Sequence, residues 1–220
     1  TRKLAFIKES HGFVLLPGGF GTMDEAFELL TLVQTGKSHP APIVLLEVPG
    51  GTYWASWKRF VEDELMGRRL ISPDDLMLLH VTADVDDAVR EIEGFYSNYD
   101  SIRFVDRALV VRLRQLPSDE QLERLNEDFA DIVTTGRIEP AQPSPPEVAD
   151  HDHVELARLR FRFDRTHWAR LRQLIDALNH PSSEEAVRPA PVLSAQPDAV
   201  SGDASLNAPG DAALDTSDVA

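Results

Sequence analysis

Residues 13–16 (FVLL) are a short unbroken apolar run, the pattern of a parallel strand covered on both faces. Over 22–35 the positions Ala26, Leu29, Leu30 and Val33 recur at helical spacing, and Gly36 stands where a helix C-terminus is capped. A second apolar run, PIVLLEV at 42–48, predicts the next strand, and GGTYW then turns into a helix over 53–66. DLMLLHV at 75–81 predicts a third strand, and 84–99 a third helix, started by Asp84. Strand and helix alternate three times with short connections. That order predicts an α/β fold with right-handed βαβ crossovers and a parallel sheet between helices.

The pattern changes after Tyr99. ALVVRLRQL at 108–116 alternates apolar with polar or basic residues, as in a half-exposed strand. A helix is predicted over 118–133, with Ser118 as N-cap and Leu122, Leu125, Phe129 and Ile132 as its buried stripe. A proline-rich break at 140–146 follows. LARLRFRFD and THWARLRQLIDALN then repeat the strand–helix theme. Arg112-Leu113-Arg114 echoes Arg160-Phe161-Arg162, a weak internal duplication. The chain therefore divides into a parallel-sheet domain at 1–100, a small α+β appendage at 107–180 and a tail at 181–220. The tail is rich in Ala, Pro, Ser and Asp and is expected to be disordered.

Charge narrows the classes of partner. The net charge is −15, and the tail holds seven acids against Arg188 alone. An acidic surface argues against a nucleic-acid polymer. The RLRFRFDR run alternates at period two and reads as an amphipathic strand rather than an RNA-binding stripe. No apolar run approaches 18 residues, so no membrane span is expected. The absence of cysteine fits a cytoplasmic protein. His151-Asp152-His153 has no third ligand at suitable spacing, so no metal site is expected. His11, His39 and His80 are isolated and read as core or surface residues. The chain opens with Thr1 in what reads as mid-domain, and earlier strands are expected upstream.

The chemistry concentrates at PGGFGT, residues 17–22. At a strand-to-helix junction the first helical amides lack partners and carry the positive end of the helix dipole. Gly18, Gly19 and Gly21 let an anion approach that backbone, so the loop has the parts of a phosphate cradle. Two familiar motifs fail. GxGxxG needs glycine where Asp24 stands, and the P-loop needs glycine where Thr31 stands before Gly36-Lys37-Ser38. Thr22 with Glu25 fits a capping box, threonine at N-cap and glutamate reaching back. The spacing leaves that role and a ligand-facing role for Glu25 both open. Tyr53, Trp54 and Trp57 read as a helix start packed on the sheet, with a place near a dimer face or a base also open.

These residues resemble the LONELY GUY (LOG) family, whose members were often mislabelled lysine decarboxylases. Its signature is PGGxGTxxE preceded by an Arg-Lys pair. Pro17, Gly18, Gly19, Gly21, Thr22 and Glu25 match every fixed position, and Arg2-Lys3 matches the pair. The likeness continues through LTLVQTGK, PIVLL and ISPDDL and covers about residues 1–99. Asp24 stands where many members have a first glutamate, keeping the charge. The resemblance implies the C-terminal part of a Rossmann-like fold, a homodimer, and no cofactor or metal. It implies hydrolysis of nucleoside 5′-monophosphates, AMP or cytokinin ribotides, to base and ribose 5-phosphate. By the same resemblance Arg2 and Glu25 are the catalytic pair, and Gly18, Gly19, Gly21 and Thr22 hold the phosphate. The alternative is a carrier of the same fold that binds a phosphorylated ligand without cleaving it.

Overall fold

A computed structural model describes residues 2–180, with side chains from Phe6 onward. The tail expected at 181–220 lies outside the described residues. The chain runs α1 (Arg2–Glu9), β1 (Phe13–Leu15), α2 (Phe20–Gln34), β2 (Ile43–Leu46), α3 (Tyr53–Phe60), β3 (Leu79–Thr82) and α4 (Val85–Phe95). The strands form a parallel sheet in the order β1-β2-β3, with Phe13 opposite Ile43 and Ile43 opposite Leu79. Leu15, Leu45, Leu79 and Val81 pack under α2 and α3 together with Trp54, Trp57 and Val61. α4 covers the other face of β2 and β3, completing the α/β layering.

Several features follow from local chemistry. α2 ends in a Schellman motif: Gly36 takes φ +66°, its amide bonds the Val33 carbonyl, and the Lys37 amide bonds the Leu32 carbonyl. α4 starts at Asp84, whose carboxylate accepts from the amides of Asp86 and Asp87. The helix from Tyr53 continues past Phe60 as a π-helical stretch, Val61–Met66. Two strand expectations need correction. Residues 75–78 are not strand but part of a 3-10 helix, Pro73–Leu78, because Ser72 and Asp75 form a capping box ahead of the apolar run. β1 is not covered on both faces: it is an edge strand among the described residues, and Val14 is 45% exposed.

A second sheet follows, all antiparallel, in the order β4-β5-β7-β6 (Tyr99–Val105, Ala108–Leu113, Ala157–Phe161, Glu139–Pro140). It starts at Tyr99 rather than near 107, since β4 and β5 form a hairpin. α5 (Asp119–Asp128), capped by Ser118, and α7 (Trp168–Asn179) supply residues to its main core, among them Leu125, Leu171 and Leu174. The expected half-exposed strand is buried along its whole length as β5. Its polar position, Arg112, is buried too, because α6 (Pro145–Ala149) brings Glu147 onto the opposite face of the sheet.

Arg112 donates to Glu147 at 3.0 Å and to Asp152 at 2.6 Å, and Arg158 lies 3.5 Å from Glu147. Glu147 is fully buried. Burial works against its charge, but the Ser144 amide and hydroxyl and the Arg112 guanidinium outweigh it and hold the carboxyl below its usual range. The Arg103 guanidinium, aided by Arg112, lowers Asp152 likewise.

Removing Glu147 leaves two buried guanidiniums facing each other across paired strands, since Arg112 is opposite Arg158. Glu147→Ala is expected to destabilise the protein by about 3–5 kcal/mol, read as a lower urea midpoint. Both depressed carboxyls contribute stability that is present above their unfolded-state values and lost as pH falls through the lower folded values. The unfolding midpoint of the wild type should therefore drop on acidification below about pH 4, and Glu147→Ala should blunt that drop.

Candidate functional site

Parallel strands end on one side, so the loops that start α2, α3 and α4 collect at the carboxyl edge of the first sheet. Open α/β sheets bind ligands there. The glycine loop leaves β1 and enters α2 at Gly19, its N-cap, at φ −89°. This corrects the expected start at Thr22. Gly19 has no side chain to cap the helix, and its ladder begins where the Met23 amide bonds the Gly19 carbonyl at 3.2 Å. The amides of Phe20, Gly21 and Thr22 precede that bond and have no place in the ladder.

The earlier start changes the roles of the acids. Thr22 is the third helical residue, and the Thr22–Glu25 capping box does not form. Asp24 and Glu25 lie beyond the first turn, so they do not occupy the dipole end. Glu25 is exposed, one turn along from Thr22.

The three glycines differ in what the fold asks of them. A Cβ on Gly18 would lie 2.1 Å from the Thr22 hydroxyl oxygen, so chain packing excludes a side chain there. Nothing lies within 4 Å of a Cβ built on Gly19 or Gly21, and neither has a positive φ. Among the described residues, neither packing nor backbone conformation therefore requires glycine at either position.

A brace from the neighbouring loop holds this junction. Glu47 ends the β2 apolar run and is buried; its carboxylate accepts from the Trp54 amide at 2.7 Å and from the Val48 amide at 3.0 Å. These bonds anchor the start of α3. Gly51 closes against them, since a Cβ there would fall 2.5 Å from the carboxylate. The Tyr53 hydroxyl, on the same turn, donates to the Gly18 carbonyl. Trp54 and Trp57 are core residues instead, packed edge to face. Glu47 was not singled out from the sequence. The signal was available: a lone acid closing a hydrophobic strand before Gly-Gly must be satisfied where it is buried.

The structure brings Gly18, Gly19, Gly21, Thr22 and Glu25 together at the start of α2. Arg2 opens α1, but its side chain lies outside what is described. The isolated histidines fall elsewhere. His80 bonds Asp87 at 2.6 Å, and that contact lowers the Asp87 carboxyl. Asp152, between His151 and His153, is engaged by Arg103 and Arg112. Among the described residues no group of His, Cys, Asp and Glu is arranged to hold a metal, and no helix is long and apolar enough to cross a membrane.

Known proteins share this first region. A family model described as possible lysine decarboxylase matches residues 1–92. Two Arabidopsis thaliana proteins named cytokinin riboside 5′-monophosphate phosphoribohydrolase, LOG7 and LOG1, are 32% and 31% identical to the chain over 101 residues, 46% of its length. A probable enzyme of the same name from Oryza sativa subsp. japonica, LOGL3, is 30% identical over a similar stretch. The matched stretch is 45% of LOG7 and 46% of LOG1 and LOGL3, so the chain spans about half the length of these relatives. Residues 1–92, which include the PGGFGTMDE junction between β1 and α2, are thus the part of the chain that matches this family model and resembles these proteins.

Proposed function

We propose that this protein hydrolyses the N-glycosidic bond of nucleoside 5′-monophosphates, AMP or cytokinin ribotides, acting as a cytoplasmic homodimer. The observation that carries the reading is the pair Gly19 and Gly21. Among the described residues their lack of side chains serves neither packing nor backbone conformation, which supports an anion's approach to the amides of Phe20, Gly21 and Thr22. The named activity of the relatives supports the substrate class.

In this reading the 5′-phosphate takes the α2 amides and the Thr22 hydroxyl. Cleavage builds positive charge on the ribose ring, as in glycoside hydrolysis. Glu25 stabilises that charge, engages the ribose hydroxyls and orients the water that adds to the anomeric carbon. The bond to the base breaks with its electron pair, the base takes up a proton, and ribose 5-phosphate remains. Arg2 neutralises the phosphate or steadies the departing base. Glu47 and Tyr53 do not touch the reacting atoms; they fix the turn that the phosphate meets.

The test incubates the full-length gene product with AMP and with cytokinin ribotides and measures released base and ribose 5-phosphate. Glu25→Ala should lower turnover at least about 100-fold while the nucleotide still binds. Saturable binding with no base released from any monophosphate would instead make the cradle a carrier site.

A second expectation separates ligand from scaffold. Gly19→Ala and Gly21→Ala should cost no more than about 0.5 kcal/mol of folding stability yet weaken monophosphate binding roughly tenfold. Gly18→Ala should lower the thermal midpoint itself, through the clash with Thr22.

A further inference from the structure

We propose a second anion site at the opposite end of the parallel sheet, one that takes a small molecule carrying two or more phosphates. A cleft of about 890 Å³ lies where the two sheets' units meet. His11 precedes β1, and Lys37 and His39 precede β2, so this is the amino edge of the sheet, away from the glycine loop. The far wall comes from the second unit: Arg114 follows β5, Asp100 lies in β4 and His153 follows α6.

The charge of the walls is the reverse of the chain's. Lys8, Lys37 and Arg114 line the cleft against one carboxylate, Asp100, in a protein of net charge −15. Among the described residues none of these three cations has an ion pair. Arg114 has only a long side-chain bond, 3.4 Å, to the Tyr96 carbonyl. Asp100 is partly engaged already, accepting from the Ser101 hydroxyl at 2.8 Å. Three histidines, His11, His39 and His153, add donors around the same space.

A plainer role exists for these cations. Lys8 lies in the last turn of α1 and Lys37 just past α2, where each complements the negative end of a helix. A helix end carries about half a charge, so each lysine leaves a surplus. Arg114 follows a strand, but its bond to the Tyr96 carbonyl places it at the C-terminal end of α4, and by the same count it too leaves a surplus. Converging cations in a low-dielectric cleft focus field and attract anions far more than scattered ones do. The volume fits a ligand of nucleotide size. A single phosphate would meet one wall; a chain of phosphates bridges Lys37 on one unit and Arg114 on the other. Binding there would tie the second unit to the sheet that carries the glycine loop.

The proposal does not rest on the reading of the glycine loop. Its test uses inorganic tripolyphosphate as the probe, with the full-length gene product, by calorimetry at low salt. Wild type is expected to bind, and to weaken as salt rises. The double substitution Lys37→Glu, Arg114→Glu should weaken binding at least tenfold, and Arg114→Gln alone several-fold should the double variant fail to fold. Asp100→Asn should tighten it. Gly19→Ala should leave it unchanged. No binding by wild type, equal binding by the Arg114 variants, or loss on Gly19→Ala would overturn the proposal, the last by placing the probe at the glycine loop.

Discussion

The amides at the start of α2 must be satisfied, and the residue at its N-cap, Gly19, has no side chain to cap them. That one constraint organises the first hundred residues. A parallel sheet brings every following helix start to one edge. Of the three helix starts gathered here, α4 has its own aspartate cap. α3 is met by the buried Glu47 carboxylate at the Trp54 amide. α2 is entered through glycines, and its N-cap has no side chain to offer its amides. Among the described residues that sets this junction apart from the two helix starts beside it.

The rest of the molecule holds α2 still. At its far end the Schellman turn puts Gly36 against the indole of Trp168, so close that a Cβ would overlap the ring at 2.0 Å. Ala169, beside it on α7, enters the core of the parallel sheet. Arg172 reaches back to Glu91 on α4 and stacks over the Phe95 ring at 4.6 Å. α7 is thus shared between the two units. The second sheet in turn is pinned by the Arg112–Glu147–Arg158 cluster, whose charges exclude any arrangement that leaves one of them buried alone.

Much of this was legible because it is local. The spacing of Ala26, Leu29 and Val33, the glycine after α2, and the caps at Asp84 and Ser118 depend on neighbours within a few residues, and each appears where the pattern placed it. The failures are tertiary or competitive. The run Leu76–Leu78 reads as strand, but Ser72 and Asp75 cap a 3-10 helix first. Arg112 alternates like a surface residue and is buried because Glu147 arrives from thirty-five positions away. Glu47 lay unremarked within the strand predicted at 42–48. Thr22 has the right chemistry for an N-cap, but the glycines ahead of it allow the helix to begin earlier.

That early start decides what Glu25 can do. A glutamate at the third helical position would return to its own backbone, and it would also repel an anion at the same amides. From a start at Phe20, Glu25 is the sixth residue, roughly 8 Å along the axis. It shares a face with Gly21 and Thr22, and helical side chains lean toward the N-terminus. That placement sets Glu25 off from the amides along the helix. On the proposed reading, an anion at the amides and a developing cation beside the carboxylate suit one ligand at once, as a sugar phosphate has both, and the spacing that looked like a capping box separates two functions.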